Sequence, residues 1–273
     1  MRVGVGLPNV HPGTPRETVL AWARAADAGP FSSVGVLHRA SWDVLDPLEA
    51  LAAAAGVTER VSLVTMVAVA PIYEADHLAK AAAEVDAASG GRLVLGLSVG
   101  ARREDYEAAG ADPRGRGVRF EEQLAGLRDL WEEGGRRVPP VLVGGTADVA
   151  FARAARWGDG YVHGGGPPRA FAAAALKARA AWRELERPGE SQLWGQSYFA
   201  LGGDLDHARG YLREYYAFTG PFVERIVDDL LTTPQQVAAR VRGYAETGCD
   251  ELVLIPALAD PAQLDRLAEV LAG

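Results

Sequence analysis

The sequence lacks the features that mark several large classes of protein. Its 273 residues include a single cysteine, Cys249, which excludes an internal disulfide and a cysteine-cluster metal site. No run of about 18 uncharged apolar residues occurs, so no transmembrane helix is expected. The opening stretch MRVGVGLPNV has neither the long apolar core nor the small-residue cleavage site of a signal peptide. We therefore expect a cytoplasmic protein with no membrane partner.

Positive charge is scarce as well. The chain carries 36 Asp and Glu against 28 Lys and Arg, which gives a formal net charge of −8. Binding to a phosphate backbone needs clustered Lys and Arg, so nucleic acid is not expected as a partner. His11, His77 and His207 have no carboxylate neighbours at metal-ligand spacing, and no metal site is predicted. A P-loop and a G-x-G-x-x-G turn after a strand are also absent.

The chain does contain a regular alternation of short β-branched runs and Ala-rich amphipathic stretches. This alternation predicts eight strand–helix units that continue to the end of the chain without a change of pattern. Strands are predicted at Arg2–Leu7, Ser32–Leu37, Val61–Val69, Arg92–Ser98, Pro140–Gly144, Gly160–His163, Gln192–Leu201 and Glu251–Ile255. We expect an α/β fold, a single (β/α)8 TIM barrel over residues 1–273, with a doubly wound open sheet as the alternative.

The helix signals add two expectations. Thr14-Pro15 and Thr233-Pro234 each predict a helix that begins with a Thr N-cap followed by proline. The aromatic segment Asp204–Leu231 is too long for a plain loop. We expect it to form a helical insertion between strand seven and its helix, either as a lid, as a dimer contact or simply packed onto the barrel.

In such a barrel the loops that follow the strands form the active site. His38 and Trp42 follow strand two, and they suit an acid/base or hydrogen-bonding histidine beside an aromatic wall. A surface loop with a packing tryptophan is the alternative. The segment Gly144–Thr146 follows strand five, where backbone N–H groups at a helix start suit a phosphate, although a tight turn fits equally well.

Two further loops are candidates. Val99, Gly100 and Ala101 follow strand four and suit an anion or the edge of a cofactor ring, or else form a plain glycine turn. His163 precedes three glycines after strand six, which indicates either close approach of a ligand or a flexible loop.

Several segments, taken in order, resemble one family. They are TERVSL at 58–63, SGGRLVLG at 89–96, EDYEAAG at 104–110, RGVRFEEQLAGLRDLW at 116–131, VGGT at 143–146, AARWGDG at 154–160, TPQQV at 233–237 and ELVL at 251–254. Together they resemble the bacterial luciferase-like flavin oxidoreductases, which include the coenzyme F420-dependent enzymes. The resemblance covers nearly the whole chain.

The resemblance implies a luciferase-like barrel, commonly a homodimer, with F420 or FMN lying across the C-terminal mouth. It places a non-proline cis peptide at Met66–Val67, in a bulge that supports the ring. The cofactor-binding residues that it implies are Thr65, Met66 and Val67 for the back of the ring, Val99, Gly100 and Ala101 for the ring or its chain, and Gly144, Gly145 and Thr146 for the phosphate.

The pair His38 and Trp42 resembles the pair that lines the reactive face of the deazaflavin in F420-dependent sugar-phosphate dehydrogenases. Luciferase-branch proteins also carry a histidine here, so it is Trp42 that favours F420. The sequence departs from the sugar-phosphate enzymes at Ala101, where they have a catalytic glutamate. Their substrate and their general acid therefore cannot be carried over to this chain.

The favoured function is an F420-dependent oxidoreductase that passes a hydride between the deazaflavin and a small organic substrate, with His38 and Trp42 as catalytic residues. His38 would orient or protonate the substrate, and Trp42 would form an aromatic wall. The alternative is a monooxygenase that uses reduced FMN and O₂ and shelters the flavin behind an apolar wall at Met66, Val67, Val69 and Ile72, residues that would serve equally well as barrel core. A non-catalytic flavin-fold subunit is the third possibility.

Overall fold

Eight strand positions close into a parallel β-barrel in the computed structural model, which describes residues 1–273. The strands are β1 Arg2–Gly6, β2 Ser33–Val36, β3 Ser62–Thr65, β4 Ala68–Val69, β5 Leu93–Ser98, β6 Val141–Gly144, β7 Gly160–His163, β8 Gln192–Phe199 and β9 Glu251–Pro256. They pair in the order β3-β2-β1-β9-β8-β7-β6-β5-β4, and a further pairing of β3 with β5 closes the sheet. The predicted (β/α)8 TIM barrel is confirmed, and the open-sheet alternative is wrong.

The third barrel strand differs from its prediction. The sequence predicted an unbroken strand over Val61–Val69, whereas the structure divides it into β3 and β4. The residues between them, Met66 and Val67, form a bulge whose peptide bond is cis. Gly96 on β5 leaves room for this strand, because a Cβ atom there would lie 2.1 Å from the carbonyl oxygen of Thr65.

Helices cover the outside of the barrel. They are α1 Arg16–Ala28, α2 Pro47–Ala55, α3 Ala75–Ala88, α4 Arg103–Ala108, α5 Arg116–Glu133, α6 Asp148–Trp157, α7 Pro168–Glu184, α8 Leu205–Tyr215, α9 Val223–Asp228, α10 Pro234–Glu246 and α11 Ala262–Ala272. No helix combines the length and the apolar character that a bilayer crossing requires.

Apolar side chains fill both sides of the barrel wall. On β5, Leu93, Leu95 and Leu97 pack outward against the helices, and Val94 points into the smaller cluster inside the barrel. That inner cluster also contains Trp194, which is almost fully buried. Burial on two faces explains why these strands are apolar at nearly every position instead of alternating.

Only one of the two predicted threonine caps is present. Thr233 caps α10: its hydroxyl accepts the N–H of Gln236 at 3.2 Å, and the Gln236 side chain accepts the N–H of Thr233 at 3.1 Å. The prediction for Thr14 was wrong. Pro15 itself occupies the N-cap position with an extended backbone, so Thr14 lies one residue too early to reach the helix.

The segment between β8 and α10 adds two helices to the barrel. α8 and α9 flank a short 3₁₀ stretch, Ala217–Phe222. Arg240 of α10 fixes the end of this insertion, because its guanidinium donates to the Asp229 carboxylate at 2.6 Å. The same guanidinium donates to Ser197 Oγ at 2.6 Å and to the carbonyl oxygen of Gly166 at 2.8 Å. One buried side chain thus joins the insertion, strand β8 and the loop after β7.

We expect Arg240→Met to lower the free energy of unfolding by about 3 kcal/mol, because it leaves a half-buried carboxylate and two polar groups unpaired. Chemical denaturation monitored by circular dichroism measures the change. Arg242→Met, at an exposed position of the same helix, is the matched control and should change stability by less than about 0.5 kcal/mol. Equal effects of the two substitutions would contradict this role for Arg240.

His11 also joins the insertion to the barrel. Its ring stacks on Tyr211 of α8 with centroids 3.9 Å apart, and its Nε2–H donates to the carbonyl oxygen of Pro256 at 3.0 Å. Burial lowers the pKa of His11 from 6.5 to about 4. The ring is therefore neutral in the folded protein at pH 7.

This lowered pKa predicts a pH dependence of stability. Between pH 6.5 and pH 4 the unfolded chain binds a proton at His11 that the folded chain does not, so stability falls as the pH falls through that window. The expected loss from this group is up to about 3 kcal/mol. Urea unfolding of wild type and His11→Phe at several pH values measures it. The variant should lose less stability across the window, and identical pH profiles would refute the assignment.

Candidate active site

A cavity of about 380 Å³ lies at the carboxyl ends of the barrel strands. All but one of the residues predicted to bind the cofactor line it: Met66, Val67, Val99, Gly100, Ala101, Gly144, Gly145 and Thr146. The exception is Thr65, which is fully buried beneath the cavity and whose hydroxyl donates to the carbonyl oxygen of Gly96 at 2.6 Å. Thr65 therefore joins β3 to β5, and its side chain does not line the cavity.

The bulge and the loop after β5 form one side of the cavity. The cis peptide Met66–Val67 stands where the resemblance places one. Gly100 has a φ of +66°, and a Cβ atom there would lie 2.6 Å from Val69 Cγ1. Only glycine allows this backbone to pack so closely on β4, which brings the loop backbone over the bulge.

Next to this side, the cavity wall combines the glycine turn after β6 with an arginine. Gly144, Gly145 and Thr146 precede α6, and Arg153 of that helix also lines the cavity. The Arg153 side chain is mostly buried: it donates to the carbonyl oxygen of Gly117 at 3.0 Å, and its Nε makes no hydrogen bond but lies 3.6 Å from the Glu121 carboxylate. A helix N-terminus beside an incompletely paired guanidinium suits an anionic group. Sequence reasoning missed Arg153, which lies about two helical turns beyond the glycine motif.

His38 follows β2 and lines this cavity. Its imidazole is buried, with Nδ1 accepting the N–H of Val69 at 3.1 Å. Its Nε2 lies 3.5 Å from the hydroxyl of Tyr73 and 4.0 Å from the carboxylate of Asp46. Burial lowers the pKa of His38 below its ordinary value, so the ring is neutral at pH 7.

A second cavity, of about 250 Å³, is also lined by His38. Trp42 lines this second cavity and does not line the first. The edge of Trp42 packs on Tyr215, with ring centroids 5.8 Å apart, and the guanidinium of Arg39 lies 4.8 Å above the Trp42 ring. The structure thus separates the two predicted catalytic residues: His38 borders both cavities, and Trp42 borders one.

Two buried polar side chains, one in the loop after β1 and one in α4, hold the loop that follows β2. Asn9 accepts the N–H of Leu37 at 3.1 Å and donates to its carbonyl oxygen at 2.8 Å. Asp105 accepts the N–H and the hydroxyl of Ser41 at 3.0 and 2.9 Å. Neither residue was a sequence candidate, because each acts on a loop far away along the chain.

Aromatic residues of the insertion complete the first cavity. Tyr215, Tyr216 and Phe218 line it together with Arg102. The Arg102 guanidinium lies 4.2 Å from the Tyr215 ring centroid and 4.6 Å from that of Phe218. Phe218 remains 40% exposed, so the insertion presents an apolar rim at the mouth.

Unpartnered polar atoms line the remaining wall. His163 Nε2 and Gln196 Oε1 are buried and have no hydrogen-bond partner. Burial lowers the pKa of His163 as well. Buried polar atoms usually have hydrogen-bond partners, so two such atoms without partners at a cavity are typical of a ligand site. The triple glycine after His163 was the only sequence signal here.

The chain is similar to known proteins over much of its length. An uncharacterized protein of Mycobacterium tuberculosis is 36% identical in an alignment of 136 residues. The match covers 43% of this chain and 47% of that protein. The chain thus spans about half the length of the curated relatives it matches.

Solved structures share the fold. An F420-dependent secondary alcohol dehydrogenase, in complex with an F420-acetone adduct, superposes with a TM-score of 0.82 at 17% identity, covering 98% of this chain and 97% of that one. Monooxygenase RslO1 from Streptomyces bottropensis superposes with a TM-score of 0.78 at 22% identity, covering 100% and 99%. The family model described as luciferase-like monooxygenase matches residues 1–229. The chain therefore belongs to the luciferase-like monooxygenase family.

Proposed function

We propose that this chain is an oxidoreductase that binds coenzyme F420 and passes a hydride between the deazaflavin and a small organic substrate. The observation that carries the proposal is the first cavity. Its lining includes the bulge between β3 and β4, the loop after β5, the glycine turn after β6, and His38. F420 supplies the hydride chemistry, and the protein binds and orients it.

The residues of this cavity fit such a cofactor. The apolar side chains of Met66, Val67 and Val69 suit the face of a flat ring. The turn Gly144–Thr146 and the guanidinium of Arg153 suit a phosphate, because the Arg153 Nε makes no hydrogen bond and its ion pair with Glu121 spans 3.6 Å. The phosphate anchor lies beside the ring support, since a Cβ atom at Gly144 would lie 3.4 Å from Val67 Cγ1.

We place the substrate beside His38, which borders both cavities, so that its reacting carbon faces the ring in the first cavity and its other end lies in the second cavity against Trp42. Arg39, the one cationic residue of that cavity, is ion-paired with Asp105 at 3.3 Å and stacked on Trp42. The Asp46 carboxylate adds negative charge to the same wall. These groups favour an uncharged substrate over a phosphorylated one, since no free cation stands ready for a phosphate. His38 would orient the substrate's oxygen through Nε2.

The alternative use of the same site is a monooxygenase reaction with reduced FMN and O₂. It is favoured by the apolar and aromatic residues around the cavity, which would keep water from a reactive flavin. Val162, Tyr215, Tyr216 and Phe218 stand among them. Oxygen uptake with reduced FMN, supplied by a separate reductase, tests this alternative.

Binding of F420 and of FMN to the purified apo protein, measured side by side by fluorescence, tests the proposal. Binding of F420 at least tenfold tighter than FMN is the expected result. The opposite preference would favour the monooxygenase, and binding of neither would favour a non-catalytic subunit.

A further inference from the structure

The hydrogen bonds around His38 run in one direction only. The Tyr73 hydroxyl has a single proton, and it donates that proton to Asp46 Oδ2 at 2.5 Å. Its oxygen can therefore only accept from His38, at 3.5 Å. On the other side of the ring, Nδ1 accepts from the N–H of Val69. The proton of the neutral imidazole is thus on Nε2.

The other partners of Tyr73 and Asp46 hold both residues in place. Asp46 is the N-cap of α2, and its Oδ1 accepts the N–H of Leu48 at 2.8 Å. The Tyr73 carbonyl oxygen accepts from the buried side chain of Gln123 at 2.7 Å. One carboxylate thus serves both a helix start and the tyrosine, so the position of the Tyr73 hydroxyl is fixed by the scaffold.

The second proton that a histidine can take has no place here. An imidazolium would carry a proton on Nδ1, and that N–H would face the N–H of Val69 at the 3.1 Å now spanned by a hydrogen bond. The charged groups around the ring act in both directions: Asp46 and Asp105 favour the cation, whereas Arg102 opposes it. Glu49 adds a further negative charge near Tyr73.

We propose that Tyr73 and Asp46 are positioning residues that act through His38, holding it as the neutral Nε2–H tautomer with this N–H available to the second cavity. The 3.5 Å contact with Tyr73 is long for a hydrogen bond, so a ligand oxygen competes for the Nε2–H readily. The proposal rests on the proposed function and deepens it. His38 donates a hydrogen bond to a substrate oxygen and does not act as an imidazolium acid.

Nitrogen NMR of the apo protein with ¹⁵N-labelled histidine tests this proposal without cofactor or substrate. The chain has 5 histidines, and His38→Asn identifies the His38 signals. In wild type we expect a pyridine-type Nδ1 and a protonated Nε2 that do not change between pH 5.5 and 8. Tyr73→Phe should disturb this pattern: the Nε2–H loses the hydroxyl that accepts it and faces the unpaired Asp46 carboxylate instead, so the Nε2 signal shifts while Nδ1 stays unprotonated against the Val69 N–H.

Two variants keep the outcome clear. Asp46→Asn retains a helix cap and an acceptor for Tyr73 while removing the charge, so His38 should stay neutral with the same tautomer. Tyr244→Phe removes a hydroxyl that donates to Gly166 elsewhere in the molecule, and it should leave the His38 signals unchanged.

A wild-type His38 with its proton on Nδ1, or one that titrates near 6.5, would overturn the proposal. So would unchanged signals in Tyr73→Phe. Failure of F420 and FMN to bind would instead overturn the proposed function and leave the NMR result intact.

Discussion

His38→Asn is expected to lower kcat/KM for hydride transfer by about 10² to 10⁴-fold, the range found for groups that assist at the reacting atoms. The asparagine oxygen can still accept the N–H of Val69, so the loop keeps its anchor. What the variant lacks is the Nε2–H that faces Tyr73 and the second cavity. Stopped-flow absorbance of F420, with a small organic substrate on which the wild type turns over, measures the rate.

The dissociation constant for F420 should change less than about threefold in this variant, because His38 provides one of many contacts in the first cavity. His77→Ala is the matched control: His77 is exposed on α3 and should leave both quantities unchanged. Wild-type rates in His38→Asn would show that His38 only supports the loop.

Arg153→Met is expected to weaken the binding of phosphate-bearing cofactors by roughly 10- to 100-fold, the effect of removing one charge-assisted hydrogen bond. The guanidinium lines the cavity beside the turn Gly144–Thr146, and its Nε makes no hydrogen bond and only a 3.6 Å ion pair with Glu121, so its charge can still attract a phosphate oxygen. Removing it leaves the ring-binding bulge untouched. Fluorescence titration of wild type and variant measures the difference.

Riboflavin, which has the FMN ring but no phosphate, separates the two halves of the site. Arg153→Met should weaken FMN binding and leave riboflavin binding unchanged. Arg156→Met, at an exposed position of the same helix, should affect neither ligand. Equal loss for FMN and riboflavin would show that Arg153 supports the cavity and does not hold the phosphate.

The barrel could be predicted from the sequence because its pattern is local. Strands buried on both faces are continuously apolar, and each is followed by a helix, so the eight units were visible one at a time. Predictions from local sequence patterns were wrong at two places where the backbone conformation determines the structure. Thr14 precedes a proline that takes the capping position for itself, and strand three is interrupted at Met66.

Much of the candidate site was predicted through family motifs, and the rest depends on contacts between distant parts of the chain. Asn9 holds Leu37 from 28 positions away, and Tyr73 meets Asp46 across 27. No spacing rule connects such pairs, since only the closure of the barrel brings their loops together. The closed barrel also places Trp42 at the second cavity and away from the first. The His-x-x-x-Trp spacing alone could not reveal this.

The central claim is that the mouth of this barrel holds a deazaflavin. Fluorescence titration of the apo protein with F420 and with FMN, under identical conditions, tests it most directly. We predict saturable binding of F420 at low micromolar concentration or tighter, with FMN at least tenfold weaker. No F420 binding at tens of micromolar would contradict the account.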